Sequence, residues 1–154
     1  LFVTILHRDK NNKDLGRYNV VITTYGTVSH EFTKLSKFNK IGLYKYKWKR
    51  IILDEAHYIK GRIIQTSKAV YNLDSECRWC LTGTPIQNGL NDIFSLLHFI
   101  RYSPWSEFEC WSKYIIKPHE NGDQNVYEVL RTLLKKVFLR RTKNSKDQNG
   151  KSII

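Results

Sequence analysis

Ile51-Ile52-Leu53-Asp54-Glu55-Ala56-His57 is a short apolar run that ends directly in two adjacent carboxylates and a histidine. The β-branched residues read as a buried strand. In an open parallel sheet, ligands bind beyond the carboxyl ends of the strands, so the two acids stand where a nucleotide would lie. One carboxylate can hold Mg2+ through its water shell while the next orients or deprotonates an attacking water, the division of labour that phosphoryl transfer requires.

A second segment, Leu81-Thr82-Gly83-Thr84-Pro85-Ile86-Gln87-Asn88, follows another apolar run, Arg78 to Leu81. Small hydroxyl residues and glycine let a backbone approach closely, and Pro85 stops the strand. Between the two segments, Ile63 to Leu73 is of helix length, with Ile63, Thr66, Val70 and Leu73 at three- and four-residue spacings. Strand, helix, strand predicts a parallel pair, with both segments opening at the same edge of the sheet. Phe2 to Leu6 and Val20 to Thr23 read as two further buried strands.

After residue 90 the pattern turns helical. Ile93, Leu96, Leu97 and Ile100 share one face; so do Phe108, Trp111 and Ile115, and then Val126, Val129, Leu130, Leu133, Leu134 and Val137. Breaks are expected at Ser103-Pro104 and over Lys117 to Gln124, where Pro118, Asn121 and Gly122 supply turn chemistry. A chain of 154 residues can bury roughly 70% of the surface its unfolded form exposes, enough for a core without disulfide or metal. No apolar run approaches the ~20 residues that span a bilayer, so a soluble protein without a membrane partner is expected. Three cysteines, an odd number at low density, suit a reducing compartment, and Cys77-x-x-Cys80 without a second pair is not read as a metal site. The chain contains no Met, which reads as a piece of a larger protein.

The formal charge is +12, and it is concentrated. Lys34 to Arg50 holds seven basic residues and no acid, and Arg131 to Lys151 holds eight basic residues against Asp147. Such stretches suit a phosphate backbone, since each neutralised phosphate releases counterions. In the first stretch Tyr44, Tyr46 and Trp48 alternate with Lys45, Lys47 and Lys49, the period-two pattern of a strand with an aromatic, packing face and a lysine face.

Over nearly its whole length the chain resembles the SWI/SNF-type DNA-dependent ATPases of helicase superfamily two. Val20-Val21-Ile22-Thr23-Thr24-Tyr25 is similar to their motif Ib, Asp54 to His57 to motif II (the DEAH box), Leu81 to Asn88 to motif III, and Leu139-Arg140-Arg141-Thr142-Lys143 to the close of their first lobe. Within the family, Arg50 to His57, Gln65 to Val70 and Ser103 to Phe108 look most like the lodestar or transcription termination factor type, with the RING-bearing repair translocases a close second.

The resemblance implies an α/β fold: a RecA-like parallel sheet forming the C-terminal part of the first helicase lobe, followed by family-specific helices. Residues 1–103 would be the partial ATP-binding lobe, 104–143 its helical continuation, and 144–154 a polar tail opening the interlobe linker. ATP and Mg2+ would be the cofactors. Asp54 would hold Mg2+ through water, Glu55 would be the general base, and His57 would couple hydrolysis to the motif III loop. Thr82, Gly83 and Thr84 would transmit nucleotide state, with Gln87 and Asn88 near the lobe interface. Thr23, Thr24 and Tyr25 would lie along the DNA; Arg140, Arg141 and Lys143 would lie at the hinge or on DNA, and Lys45, Lys47 and Lys49 are candidates for phosphate contact.

Two departures from the family pattern stand out. Gly61 follows Ile59-Lys60 where the family usually has Asn, and no Gly-x-Gly-Lys-Thr phosphate loop occurs among these residues. The chain by itself is therefore not expected to hydrolyse ATP efficiently, and the expected activity is that of a nuclear parent translocating on double-stranded DNA, with chromatin, transcription or repair proteins as partners. The alternative is a truncated, catalytically inactive remnant that keeps DNA- or protein-binding surfaces.

Overall fold

Strand β3 (Trp48–Leu53) carries the Ile51-Ile52-Leu53 run, and β4 (Ser75–Cys80) leads into the Thr82-Gly83-Thr84 segment. They pair in parallel, with Trp48 opposite Ser75 and Leu53 opposite Cys80, and helix α2 (Gln65–Tyr71) lies in the connection. A crossover of this length returns the chain to the end where it started, which is why the pair is parallel. A second parallel pair joins β1 (Val3–Ile5) to β2 (Val20–Ile22), with Val3 opposite Val20 and Ile5 opposite Ile22. This is a computed structural model; it describes residues 1–7, 14–35, 41–61, 63–84, 89–140, 145 and 150–151. The expected α/β class with parallel strands is observed.

The described residues form two compact units, Leu1–Trp111 and Ser112–Ile154. In the first, α1 (Tyr25–Thr33) starts at Thr24, whose side chain accepts the Thr27 N–H at 3.2 Å. A cap of this kind contributes about 1 kcal/mol to a helix. Helix α1 packs on α2, and α3 (Leu90–Ile100) packs on β4 and α2. The core is densest around α3, which buries Ile93, Phe94, Leu96, Leu97 and Phe99. The chain leaves α3 through a cis Ser103–Pro104 peptide and closes the unit with α4 (Phe108–Trp111). There the Phe94 ring stands 5.4 Å from Phe108 and 6.0 Å from the buried Trp111.

The second unit runs from a π-helical stretch, Ser112–Ile116, through α5 (Lys117–Glu120) to α6 (Asn125–Val137). Among its described residues, Ile115, Val126, Leu130 and Leu133 are the buried apolar ones. The break expected from Lys117 onward begins only at Asn121 and Gly122, because Pro118 sits in the first turn of α5, where its missing N–H leaves no bond unmade.

Two further expectations are corrected. The aromatic and lysine alternation is not one strand: Gly42–Lys45 forms a 3-10 turn and β3 begins at Trp48. The buried carboxylate of Glu31 accepts the Leu43 N–H at 2.7 Å and holds that turn. Gly42 there has φ +51, and any Cβ would fall on the Glu31 carboxylate. Burial raises the Glu31 pKa, partly opposed by the Leu43 hydrogen bond. The strands expected to be buried are also open on one face: Val3, Ile5, Ile22, Ile52 and Trp79 are all more than half exposed. β1 and β2 alternate along their length and β3 does so at its end, so that Thr4 and Leu53 meet the core while their neighbours face outward.

Candidate functional site

The geometry of the DEAH segment is set by Leu81. Its N–H donates to the Leu53 carbonyl and its own carbonyl accepts the Ala56 N–H, each at 2.8 Å. The parallel ladder thus continues past both strands and clamps Asp54 and Glu55 from either side. Ala56 and Ile59 are fully buried in the 3-10 turn Ala56–Ile59, so the turn is anchored while the two acids stay exposed. Apolar residues on either flank of two carboxylates bury, and the carboxylates remain at the solvated strand end. Charge cannot follow the chain into the core without a partner.

Within that clamp, Asp54 Oδ1 accepts the Glu55 N–H at 2.9 Å. Glu55 has φ 47 and ψ 49, a left-handed backbone that strains a residue with a Cβ by about 1–3 kcal/mol and persists only where the surroundings over-determine it. The strained residue is the one the sequence nominates as general base. His57 Nδ1 lies 3.0 Å from Glu55 Oε2, a charge-pair distance without the alignment of a hydrogen bond. The His57 ring stacks on Tyr58 at 4.6 Å between centroids. Asp54, Glu55 and His57 are therefore brought together on one turn. Two hard oxygen donors facing water suit a hydrated Mg2+, which takes one or two carboxylates and keeps several of its waters.

Motif III borders the same turn through Leu81. Thr82 Oγ1 accepts the Thr84 N–H at 3.2 Å, which curls the loop. Among the described residues, none beyond its chain neighbours comes within 4 Å of where a Gly83 Cβ would be. Gln87 and Asn88 lie outside the described residues.

The motif Ib hydroxyls all have protein partners. Thr23 Oγ1 donates to the Leu6 carbonyl at 3.1 Å, Thr24 caps α1, and the Tyr25 hydroxyl donates to the Asp54 carbonyl at 2.8 Å. Burial first, and then repulsion from the neighbouring acidic groups that it would meet on ionising, pushes the Tyr25 phenol well above its ordinary range, so it is a hydrogen-bond donor at any physiological pH. Of the basic candidates, Lys45, Lys47 and Lys49 are exposed, and Lys47 Nζ stands 3.5 Å from Glu76 Oε1. The neighbouring Arg50 guanidinium lies over the Trp79 ring at 5.4 Å. Arg140 is exposed in the second unit; Arg141 and Lys143 lie outside the described residues.

Three contacts at the site were missed by sequence reasoning. One is the Tyr25 bond to Asp54, and another is the Tyr58 ring beside His57. The third is the pairing of Lys60 Nζ with Asp92 Oδ2 at 3.7 Å, both side chains nearly buried, which ties the DEAH turn to the first turn of α3. A signal for it was available: Asp92 stands four residues before Leu96, an acid on an otherwise apolar helix face. Gly61, the departure from the family pattern, has φ +98. That conformation suits glycine, and a Cβ there would press on Ile64.

Comparison with known proteins places these motifs in context. The model of a family described as SNF2-related domain matches residues 2–149. DNA repair protein RAD5A of Arabidopsis thaliana is 46% identical over 147 residues, covering 96% of this chain and 14% of that protein. DNA repair protein RAD5 of Candida albicans is 46% identical over 143 residues, covering 88% of this chain and 13% of that one. Among solved structures, the Sulfolobus solfataricus SWI2/SNF2 ATPase core in complex with dsDNA is 31% identical with a TM-score of 0.75, covering 94% of this chain and 29% of that one. The chain thus spans about a seventh of the length of these repair proteins. Of the two subtypes weighed from sequence, the repair type is the one these relatives represent.

Proposed function

Because the chain belongs to the SNF2-related domain family, we propose that it is the C-terminal part of the first ATPase lobe of a nuclear, ATP-driven motor on double-stranded DNA that serves DNA repair. The observation that carries this reading is the placement of Asp54 and Glu55 at the carboxyl end of β3, clamped between Leu53 and Ala56 by Leu81, the residue just past β4. Similarity to repair proteins, and to an ATPase core solved with dsDNA, supports the DNA-dependent part of it.

When bound, ATP and Mg2+ supply the phosphoryl group and the neutralisation of its charge. Asp54 would hold the ion through water. Glu55 accepts the proton of the attacking water, and the strained backbone sets the direction in which its side chain leaves the turn. His57, 3.0 Å from Glu55, orients that carboxylate and lies on the turn that Leu81 joins to motif III. Thr82, Gly83 and Thr84 carry the state of the site onward, with Gln87 and Asn88 toward the second lobe. DNA would run past the start of α1, at Thr23, Thr24 and Tyr25, and the exposed Lys45, Lys47 and Lys49 would meet phosphate; such contacts hold a duplex without reading its sequence. Arg140, Arg141 and Lys143 would act at the hinge or on DNA.

The test is DNA-stimulated ATP hydrolysis by the full-length parent carrying Glu55→Gln. Turnover should fall at least about a hundredfold while ATP still binds, because only the base is removed. Normal kcat in that variant would sink the assignment, and stimulation by RNA in place of DNA would redirect it. Chromatin remodelling or transcription termination as the process served would appear as activity on those substrates.

A further inference from the structure

We propose that Tyr25 is a positioning residue through which DNA at the start of α1 sets the two acids of the ATP site. This rests on the functional reading above, which puts DNA beside motif Ib. What it adds is the route, and a role for the tyrosine other than phosphate contact.

The Tyr25 hydroxyl donates to the carbonyl oxygen of Asp54 at 2.8 Å. That oxygen belongs to the peptide unit joining Asp54 to Glu55, and the N–H of the same unit is held by Asp54 Oδ1 at 2.9 Å. A peptide unit is planar, so a partner on its oxygen and a partner on its N–H together fix the rotation of the plane. Rotating it would change ψ of Asp54 and φ of Glu55 at once, and Glu55 is the residue in left-handed backbone. One hydroxyl thereby bears on the direction of both carboxylates.

A second path runs through the rings. The Tyr25 ring packs against Tyr58 with centroids 5.6 Å apart, Tyr58 stacks on His57, and His57 Nδ1 meets the Glu55 carboxylate. Tyr25 is the first residue of α1, next to the cap Thr24, so a shift of that helix end displaces hydroxyl and ring together. A ligand can bias the acids only as far as it binds one arrangement of this contact better than the other. Engagement of α1 by DNA supplies that difference.

The experiment compares Tyr25→Phe with the wild type in the full-length parent, measuring ATP turnover with and without saturating duplex DNA, together with DNA affinity. Phe keeps the ring and its packing and removes only the hydroxyl. At saturating DNA the ratio of stimulated to unstimulated turnover should fall about tenfold, the fold-change that the free energy of one hydrogen bond corresponds to, whatever the accompanying change in DNA Kd. A structural loosening would lower both rates together and leave the ratio alone, and that result would overturn the proposal. Weaker DNA binding with full stimulation at saturation would also overturn it, making Tyr25 a simple DNA contact. If the wild type shows no stimulation by DNA, the failure belongs to the functional reading beneath and not to the tyrosine.

Discussion

The β3–β4 and β1–β2 pairs are both parallel, yet they differ in composition and in how they are held. The first pair is six residues long, is continued by the Leu81 bonds beyond both strands, and has α3 packed on β4. The second is three residues long, and its outward residues, Val3, Ile5 and Ile22, face open space. The shorter pair is the more apolar in sequence and both leave one face exposed, yet it is the longer pair that carries a packed helix. The acids sit at the end of the longer pair, where the strained, exposed turn Asp54-Glu55 runs into the fully buried Ala56 and Ile59.

This contrast can be broken or sharpened by mutation. The largest effect is expected at Phe94, on α3 among His98, Phe108 and Trp111: Phe94→Ala should lower unfolding stability by about 3–5 kcal/mol, read from the denaturant midpoint. A loss under ~1 kcal/mol would mean that the dense half is not where the stability lies. Lys60→Ala comes next. It leaves Asp92 charged and buried beside α3, and breaking one side of a buried pair typically costs about 3–5 kcal/mol, reduced here by the 3.7 Å separation. Replacing both residues together, Lys60→Met with Asp92→Leu, should recover most of that loss, and no recovery would show that the two do not act as a pair. The smallest effect is expected at Ile5, which is 66% exposed: Ile5→Ser should change the stability of this chain by no more than about 0.5 kcal/mol. A large loss for the same change in the longer parent would show that the parent covers the face which is open here.

Much of this architecture was legible in the sequence, for a definite reason. Periodicity and strand-ending chemistry are local, so the β-α-β unit, the acids at the end of β3 and the small-residue loop after β4 could be read from spacing alone. The contacts that tune the site are not local. Tyr25 meets Asp54 across 29 residues and Lys60 meets Asp92 across 32, and nothing in either segment names its partner. Burial was over-read for a related cause: a β-branched run states that a residue can be covered, not that anything covers it.

Sequence by itself determined which side chains are present at the strand end and their order, because a charged pair directly after an apolar run stays at the solvated end of the strand unless a partner is buried with it. The tertiary structure alone decided how those carboxylates are aimed. The left-handed backbone of Glu55 is held by bonds to its neighbours, in which Leu81 donates to Leu53 and accepts from Ala56 and Tyr25 donates to Asp54, and by the full burial of Ala56 beside it. A backbone state that is unfavourable in isolation exists only where such distant groups converge on it.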